Sequence, residues 1–261
     1  MPRRSYGRRC RLEIRADGGS LNREGSVALP GRGGCGYIPK PISRPSAGSG
    51  RPCHRPSLLM PGKLFIVSAP SGAGKTSLVR ALLHADATVK LSVSYTTRAA
   101  RNGESHGKHY HFITAEAFAD MVANREFLEH AEVHGNRYGT GRGWVEARMN
   151  EGSDILLEID WQGAQQVKRL MPEAVGIFIL PPSIDALSQR LAQRATDTPE
   201  VIERRVAAAK AEIAHVSEFD YVILNKDFEE AAADLIAVVR AERLRLASQL
   251  DRHRELINRM K

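Results

Sequence analysis

Short apolar runs alternate with amphipathic segments over most of the chain beyond residue 60. The runs are rich in β-branched side chains, which is typical of strands buried on both faces of a parallel sheet. We predict such strands at 64–67, 154–159, 175–180 and 221–225. Periodic apolar positions predict helices at 75–83, 162–170, 184–194 and 199–215, with a longer helix from Phe228. This alternation predicts an α/β fold whose ligands bind outside the carboxyl ends of the strands.

A more polar stretch interrupts this alternation. Residues 91–98 alternate in a strand-like way, and residues 127–140 read as strands with turns. Between them, Thr114 is placed to cap a short helix with Phe118 on its apolar face. We interpret the stretch as a small lobe inserted into the α/β fold.

The first 59 residues differ in composition from the rest of the chain. They are rich in Arg, Gly, Pro and Ser and have no sustained apolar period, so we expect them to be disordered. Three interpretations stay open: a segment upstream of the natural start at Met60, a solvated tail, or a nucleic-acid-binding arm. A transit peptide is disfavoured because the Pro and Gly density opposes an amphipathic helix.

The net charge of +8 comes from this leader. Residues 1–60 hold 12 of the 38 basic residues and 3 of the 30 acidic ones, which leaves 26 basic and 27 acidic residues for the remainder. The body therefore gives little reason to expect nucleic acid as a partner. All three cysteines also lie in the leader, and no run of 18 apolar residues exists, so we expect no membrane span and a reducing compartment.

Residues 64–76 read LFIVSAPSGAGKT and place a glycine-rich loop between the first strand and the first helix. Gly74, Lys75 and Thr76 end the pattern G-x-x-x-x-G-K-[ST], while Ala69 stands where the strict pattern has glycine. Backbone N–H groups of such a loop attract phosphate, Lys75 adds a full charge, and Thr76 offers a hydroxyl for Mg²⁺. A plain glycine-rich turn is the alternative, but the GKT set in this context favours nucleoside triphosphate binding.

Five motifs in matching order resemble those of guanylate kinases: SAPSGAGKT, SVSYTTRAARNGESHGKHY, EHAEVHGNRYGT, EIDWQGAQ and RLAQRATDT. The likeness covers roughly residues 62–250. It implies a P-loop NTPase-type parallel sheet flanked by helices, with a small mixed α/β GMP-binding lobe and a helical lid. It also implies a cytoplasmic, Mg²⁺-dependent kinase that transfers the γ-phosphoryl of ATP to GMP or dGMP.

The resemblance divides the chain into a leader at 1–59, a kinase-like domain at 60–250 and a C-terminal tail at 251–261. Within the domain it implies three parts: a core at 60–93, 143–188 and 216–250, a GMP-binding lobe at 94–142, and a lid at 189–215.

The resemblance also implies a role for each matching residue. ATP is expected to contact Ala69, Pro70, Ser71, Gly72, Ala73, Gly74, Lys75, Thr76 and Asn225. The residues expected to act in phosphoryl transfer are Lys75, Arg98, Arg190, Arg194 and Arg205. Thr76 is expected to reach Mg²⁺ mostly through ATP and water.

The acceptor phosphate is expected to bind Ser94, Arg98, Arg101, Tyr110 and Tyr138. Guanidinium groups bind a dianionic phosphate through paired hydrogen bonds, and phenols add donors. The alternative is that the arginines are exposed loop charges and the tyrosines belong to the core.

Guanine offers N1–H and N2–H₂ donors beside the O6 acceptor, so a selective pocket needs a carboxylate and a hydroxyl. Glu129 and Asp160 are expected on the N1/N2 edge and Thr140 near O6. Adenine would turn an acceptor toward the carboxylate, and sites of this kind reject the wrong base by roughly 10⁴-fold. Glu129 as a surface charge is the alternative.

Two further features depart from the simplest pattern. Glu158 stands where the family usually has Asp, and at a position that orders water around Mg²⁺ its longer side chain would shift that geometry. His106, His109, His111, His130 and His134 cluster in the lobe, but no cysteine joins them, so surface positions are favoured over a zinc site.

Two other functions would use the same fold: a protein-interaction module without catalysis, and a P-loop kinase for another phosphorylated small molecule. An intact GKT set opposes the first, and Glu129 and Thr140 would lack a purpose in the second. The oligomeric state and the preference between GMP and dGMP are beyond the sequence.

Overall fold

The computed structural model describes residues 61–133, 135–193 and 199–261. The predicted leader, His134 and Arg194 lie outside the described residues. No helix in the described part of the chain is long and apolar enough to cross a bilayer.

The described residues form short strands joined by helices. The strands are β1 Leu64–Ser68, β2 Val89–Leu91, β3 Tyr95–Thr96, β4 His111–Phe112, β5 Phe127–Val133, β6 Asn136–Gly141, β7 Asp154–Glu158, β8 Val175–Leu180 and β9 Tyr221–Leu224. The α-helices are α1 Lys75–Ala85, α2 Ala115–Ala123, α3 Arg142–Asn150, α4 Trp161–Leu170, α5 Ile184–Ala192, α6 Pro199–Ile213, α7 Phe228–Arg243, α8 Leu246–Arg252 and α9 Arg254–Arg259.

Five strands form a parallel core sheet in the order β2-β7-β1-β8-β9. Alternate side chains of β1 face opposite sides. Phe65 and Val67 pack with α1 and α7, whereas Leu64 and Ile66 pack with α3 and α4. Because helices cover both faces, β1 is buried along its whole length, and this explains its continuous apolar run. The predicted α/β class and flanked parallel sheet are confirmed.

Four strands form a second, mixed sheet in the order β4-β3-β6-β5. β3 is parallel to β4, and β6 is antiparallel to both β3 and β5. All four strands lie inside the segment predicted as the GMP-binding lobe. The pairing of β5 with β6 shifts register between Phe127 and Glu129, which places Glu129 directly opposite Thr140.

The structure corrects several predicted elements. Residues 91–98 do not form one strand, because β2 ends at Leu91 in the core sheet and β3 begins at Tyr95 in the second sheet. Helix α3 was not predicted, since Val145 is its one buried side chain and the segment has no clear apolar stripe. Residues 251–261 contain the end of α8 and all of α9, and their assignment as a tail stays a prediction. The cap at Thr114 is confirmed: its side chain accepts a hydrogen bond from the Ala117 N–H.

Candidate active site

The glycine-rich loop lies between the carboxyl end of β1 and the first turn of α1. Gly72 and Gly74 have φ angles of 91° and 96°, in the region where a side chain is strained. A Cβ on Gly74 would also lie 2.4 Å from the side-chain nitrogen of Asn225. Ala69 has no such positive φ, so its methyl group is tolerated where the strict pattern has glycine.

Lys75 and Thr76 both contact the carboxyl end of the neighbouring strand β7. Lys75 Nζ donates to the Ile159 carbonyl at 3.1 Å, and Thr76 Oγ1 donates to Glu158 Oε1 at 2.5 Å. The sequence pattern therefore places the ammonium and the hydroxyl at one edge of the sheet. Glu158 reaches the hydroxyl directly, although it is longer than the aspartate that is usual in the family.

Asn225 supports the loop from the end of β9. Its side-chain nitrogen donates to the Ala73 carbonyl at 2.7 Å, its backbone N–H donates to Leu180, and the residue is buried. Because the side-chain amide of Asn225 donates to the loop backbone, Asn225 holds the loop in its conformation, a role that the sequence did not predict. Its contact with ATP remains a prediction.

Helices α5 and α6 pack against the other side of the loop. Leu187 and Leu191 of α5 lie against Gly72, and a Cβ there would approach their side chains to about 3.0 Å. Arg190 Nη2 donates to the Asn225 carbonyl at 3.1 Å, and Arg205 Nη2 donates to Ser71 Oγ at 2.7 Å. Of the three arginines predicted for the lid, Arg205 contacts the loop itself and Arg190 contacts Asn225, which supports the loop. Arg194 lies outside the described residues.

Arg98, Tyr110 and Tyr138 come together on the second sheet. The Arg98 guanidinium lies 5.4 Å from the centre of the Tyr110 ring, and the Tyr110 and Tyr138 rings are 5.9 Å apart. Burial raises the pKa of the Tyr110 phenol, and the negative charge of Glu158 adds to this increase. The cluster therefore faces the same region as Glu158 and Thr76.

Glu104, which the sequence did not reveal, forms an ion pair with Arg98. Its Oε1 accepts from Arg98 Nη2 at 2.9 Å, and its Oε2 accepts from the Arg101 backbone N–H at 2.8 Å. This contact raises the pKa of Arg98 and lowers that of Glu104. Arg101 has an exposed side chain at the same turn, and the Ser94 carbonyl accepts from the His111 N–H at 2.9 Å.

Glu129 and Thr140 face each other in a buried site on β5 and β6. Thr140 Oγ1 donates to Glu129 Oε1 at 2.5 Å. Thr140 is 0% exposed and Glu129 is 3% exposed. Burial raises the pKa of Glu129 to about 7, while Lys75 acts to lower it. This carboxyl is therefore neither a surface charge nor remote from the loop.

Asp160 lies beside Glu129 and caps helix α4. Its Oδ1 accepts from the Gly163 N–H at 2.9 Å, and its Oδ2 accepts from Gln162 at 3.2 Å. A Cβ on Gly163 would lie 2.5 Å from Glu129 Oε2, so only glycine lets the two carboxylates approach the same turn. The negative charge of Asp160 adds to the increase in the Glu129 pKa.

Glu212 of α6 is a second carboxyl that the sequence did not reveal. Burial raises its pKa to about 7, Lys75 acts to lower that value, and Asp160 acts to raise it. Glu212 thus lies within electrostatic reach of both the loop lysine and the cap of α4. No motif marks it, because its position depends on how α6 packs.

The described lobe histidines make ordinary contacts. His111 stacks on Tyr95 at 4.5 Å, and His109 Nδ1 accepts from the Ser105 N–H at 3.0 Å. Among the described residues, no three His, Cys, Asp or Glu side chains gather as metal ligands.

The fold and the site define a class of protein. A glycine-rich phosphate loop ends β1 of a parallel sheet, and a buried carboxyl pocket lies close enough for the loop lysine to influence its pKa. This combination is that of a P-loop nucleotide-binding domain.

Comparison with known proteins gives the family. The family model described as Guanylate kinase matches residues 61–242. The guanylate kinase of Dechloromonas aromatica (strain RCB) is 57% identical over 201 residues, which cover 77% of this chain and 100% of the relative. That of Thiobacillus denitrificans (strain ATCC 25259 / T1) is 58% identical over 196 residues, covering 75% and 94%.

A solved structure agrees with these sequences. The crystal structure of guanylate kinase from Anaplasma phagocytophilum superposes with a TM-score of 0.63 at 38% identity, covering 76% of this chain and 94% of that one. The chain belongs to the guanylate kinase family, and the resemblance seen in its motifs is confirmed.

Proposed function

We propose that this protein transfers the γ-phosphoryl group of ATP to GMP or dGMP, giving ADP and GDP or dGDP. One observation carries the proposal: a buried Glu129–Thr140 pair lies within electrostatic reach of Lys75 in an intact phosphate loop. A carboxylate beside a hydroxyl matches the edge of guanine, and the loop matches a triphosphate. A protein-interaction module would not need the intact phosphate loop, and a kinase for another small molecule would not need the Glu129–Thr140 pair.

In this proposal the donor site is the loop from Ala69 to Thr76. Its N–H groups and the Lys75 ammonium bind the β- and γ-phosphates of ATP, because a helix N-terminus and a full positive charge both favour anions. Lys75 must then leave the Ile159 carbonyl that it contacts in the structure. Arg190 and Arg205, with Arg194, are assigned to offset the charge on the transferred group.

The residues near Thr76 suit Mg²⁺. The Thr76 hydroxyl and the Glu158 carboxylate form a pair of hard oxygen donors whose atoms lie 2.5 Å apart, and Mg²⁺ prefers oxygen. We assign Thr76 to hold the ion and Glu158 to orient its water. Held by Thr76 and by the water that Glu158 orients, Mg²⁺ would supply positive charge to offset the negative charge that develops during transfer.

The acceptor site is assigned to the second sheet and the start of α4. The GMP phosphate is proposed to bind Arg98, Arg101, Tyr110, Tyr138 and Ser94. To do so, Arg98 must release Glu104 and pair with the phosphate instead. Glu104 thus holds the guanidinium in place when no phosphate is bound. This exchange keeps Arg98 paired with a negative group throughout, because a phosphate replaces the carboxylate.

The base is proposed to bind Glu129, Asp160 and Thr140. Ionised Glu129 accepts hydrogen bonds from N1–H and N2–H₂, and the Thr140 hydroxyl turns from Glu129 to donate to O6. AMP offers an acceptor at N1, so it would leave Glu129 facing a lone pair. Discrimination therefore arises from a buried acceptor that only guanine satisfies.

Transfer is proposed to be direct and in line. A GMP phosphate oxygen is already ionised near neutral pH, so the reaction needs no strong general base and no covalent enzyme intermediate. The protein orients two anions, offsets their charge and excludes water from the γ-phosphate. We also propose a cytoplasmic location, which fits a body without cysteine.

A coupled assay of ADP release tests the function. With ATP and Mg²⁺, we expect turnover with GMP and dGMP and a kcat/KM for AMP and UMP that is lower by roughly 10⁴-fold or more. The matched variant Thr140→Val keeps the side-chain shape and should raise the KM for GMP more than it changes the KM for ATP. Equal rates with GMP and AMP, or no turnover with any monophosphate, would contradict the proposal.

A further inference from the structure

The C-terminal end of α6 is attached to the start of α4 by a stacked pair of rings. The Trp161 and His215 rings lie 3.6 Å apart between centroids and are 8° from parallel. Trp161 is the first residue of α4, immediately after the cap Asp160, and His215 lies two residues beyond the end of α6. The contact therefore joins the predicted guanine site to the helix that carries Arg205.

Hydrogen bonds reinforce the stack on the His215 side. His215 Nδ1 lies 2.6 Å from Glu218 Oε1, and Gln165 of α4 donates to Glu218 Oε2 at 2.7 Å. Glu218 thus links the imidazole to the second turn of α4. Because the ring is held both by its face and by one edge nitrogen, the end of α6 has a defined position relative to Asp160.

Helix α6 separates the stack from the phosphate loop, so a small rotation at the stack would displace Arg205 by a larger amount. Arg205 precedes His215 by ten residues, which is about 15 Å along a helix. A rotation of about 10° around the stack would move Arg205 by about 2.6 Å at this rise per residue. That displacement is close to the 2.7 Å that separates Arg205 Nη2 from Ser71 Oγ.

Helix α6 is also held along its length by helix α5. Ile202, Val206 and Ala209 of α6 pack with Leu187 and Leu191 of α5. This apolar contact fixes the middle of α6, and the stack fixes its C-terminal end. The position of Arg205 relative to the phosphate loop therefore depends on both contacts.

We propose that His215 is a positioning residue: its stack on Trp161 is the pivot at the C-terminal end of α6 that, together with the α5 contact, holds the helix at the angle where Arg205 meets the phosphate loop. The inference rests on the proposed function. It also links the two substrates, since a GMP base bound at Asp160 contacts the residue that precedes the pivot. His215 touches neither substrate and acts through Arg205.

The test uses Trp161 as its own reporter. The chain has two tryptophans, and Trp144 is 42% exposed on α3, so Trp144→Phe leaves Trp161 as the single emitter. In that background His215→Ala removes the stack, His215→Phe keeps a flat ring, and His84→Ala removes an exposed histidine at the end of α1 as a control.

We expect His215→Ala to lower kcat by about 10-fold or more, since misplacing a group by about 1 Å can cost 10²-fold. The KM for GMP should change less than threefold by the same reasoning, because His215 does not contact the acceptor site. Trp161 emission should change when GMP binds to the parent, and this response should be lost in His215→Ala. His215→Phe should recover most of the rate and of the response, and His84→Ala should match the parent.

Three results would overturn the inference. These are a His215→Ala enzyme with kcat within about twofold of the parent, a loss of kcat that His215→Phe does not recover, and an unchanged Trp161 response to GMP. Thermal unfolding of each variant separates a folding defect, since a purely structural residue would lower Tm and leave kcat of the folded protein unchanged. A parent without GMP kinase activity would instead refute the proposed function.

Discussion

Replacing Glu129 by Gln should make the nucleotide-free protein less sensitive to pH and should damage GMP binding. Glu129 is 3% exposed and accepts a hydrogen bond from Thr140 at 2.5 Å. Its pKa is raised from 4.5 to about 7, mainly by burial. Glutamine preserves the volume and an acceptor oxygen for Thr140, and it removes the charge.

The sign follows from proton binding in the two states. Below about pH 4.5 the carboxyl is protonated in both the folded and the unfolded chain. Between the two pKa values the folded chain keeps a proton that the unfolded chain has released, so the free energy of unfolding falls as pH rises. The loss is complete above about pH 7 and amounts to about 3 kcal/mol on an order-of-magnitude basis.

Denaturant unfolding at about pH 5 and about pH 8 measures this effect. The parent should lose more stability than Glu129→Gln over this interval, by up to about 3 kcal/mol. Glu212 is the matched comparison, because burial also raises its pKa to about 7. Glu212→Gln should therefore flatten the stability profile to a similar extent.

The same substitution should raise the KM for GMP by about 10- to 100-fold, because a charged hydrogen-bond acceptor contributes about 1.5–3 kcal/mol. In the parent, GMP affinity should increase through about pH 7, where Glu129 ionises. The GMP phosphate also titrates near a pKa of about 6, but it does so equally in both proteins. Identical stability profiles for parent and variant, or an unchanged KM for GMP, would refute the reasoning.

Other substitutions test the donor site and the core. Lys75→Ala should lower kcat far more than it weakens the binding of GMP. Unchanged turnover would contradict the role assigned to Lys75. Asn225→Ala leaves the Ala73 carbonyl without its buried donor, so we expect a loss of about 1–3 kcal/mol in unfolding experiments and a higher KM for ATP; Asn225→Asp should not recover either. Burial acts to raise the pKa of Asp86, but hydrogen bonds from Thr88 and the ion pair with Arg243 outweigh it and lower the pKa to about 2 from 3.8. The stability from these contacts is present above pH 3.8 and lost as pH falls toward 2. Arg243→Met should weaken this acid dependence in thermal unfolding between those values, and an unchanged profile would contradict the pairing.

Local sequence was sufficient for the phosphate loop and most elements of the core sheet. The GKT set follows a buried strand within a few residues, so chain connectivity alone places Lys75 and Thr76 at the strand end. The predicted strand at 175–180 matches β8 within the same bounds, because a fully buried strand shows a continuous apolar run. Thr114 caps α2 for an equally local reason.

The motif resemblance brought together the acceptor residues, but it did not reveal what holds them. Arg98 is occupied by Glu104, and Asn225 is hydrogen-bonded to the loop. Pairs of this kind join side chains from different turns or strands. Neither partner shows a periodic pattern, so only the tertiary structure identifies them.

The sequence by itself determined which residue types the site contains and the order in which strands and helices occur. Tertiary structure decided the split between β2 and β3, the opposition of Glu129 and Thr140, and the stack of Trp161 on His215. Periodicity reports which face of one element is buried, whereas these features depend on strand register and on how separate helices approach. A shift of one residue in a strand would turn Glu129 to the opposite face without changing the hydrophobic pattern that identifies the strand.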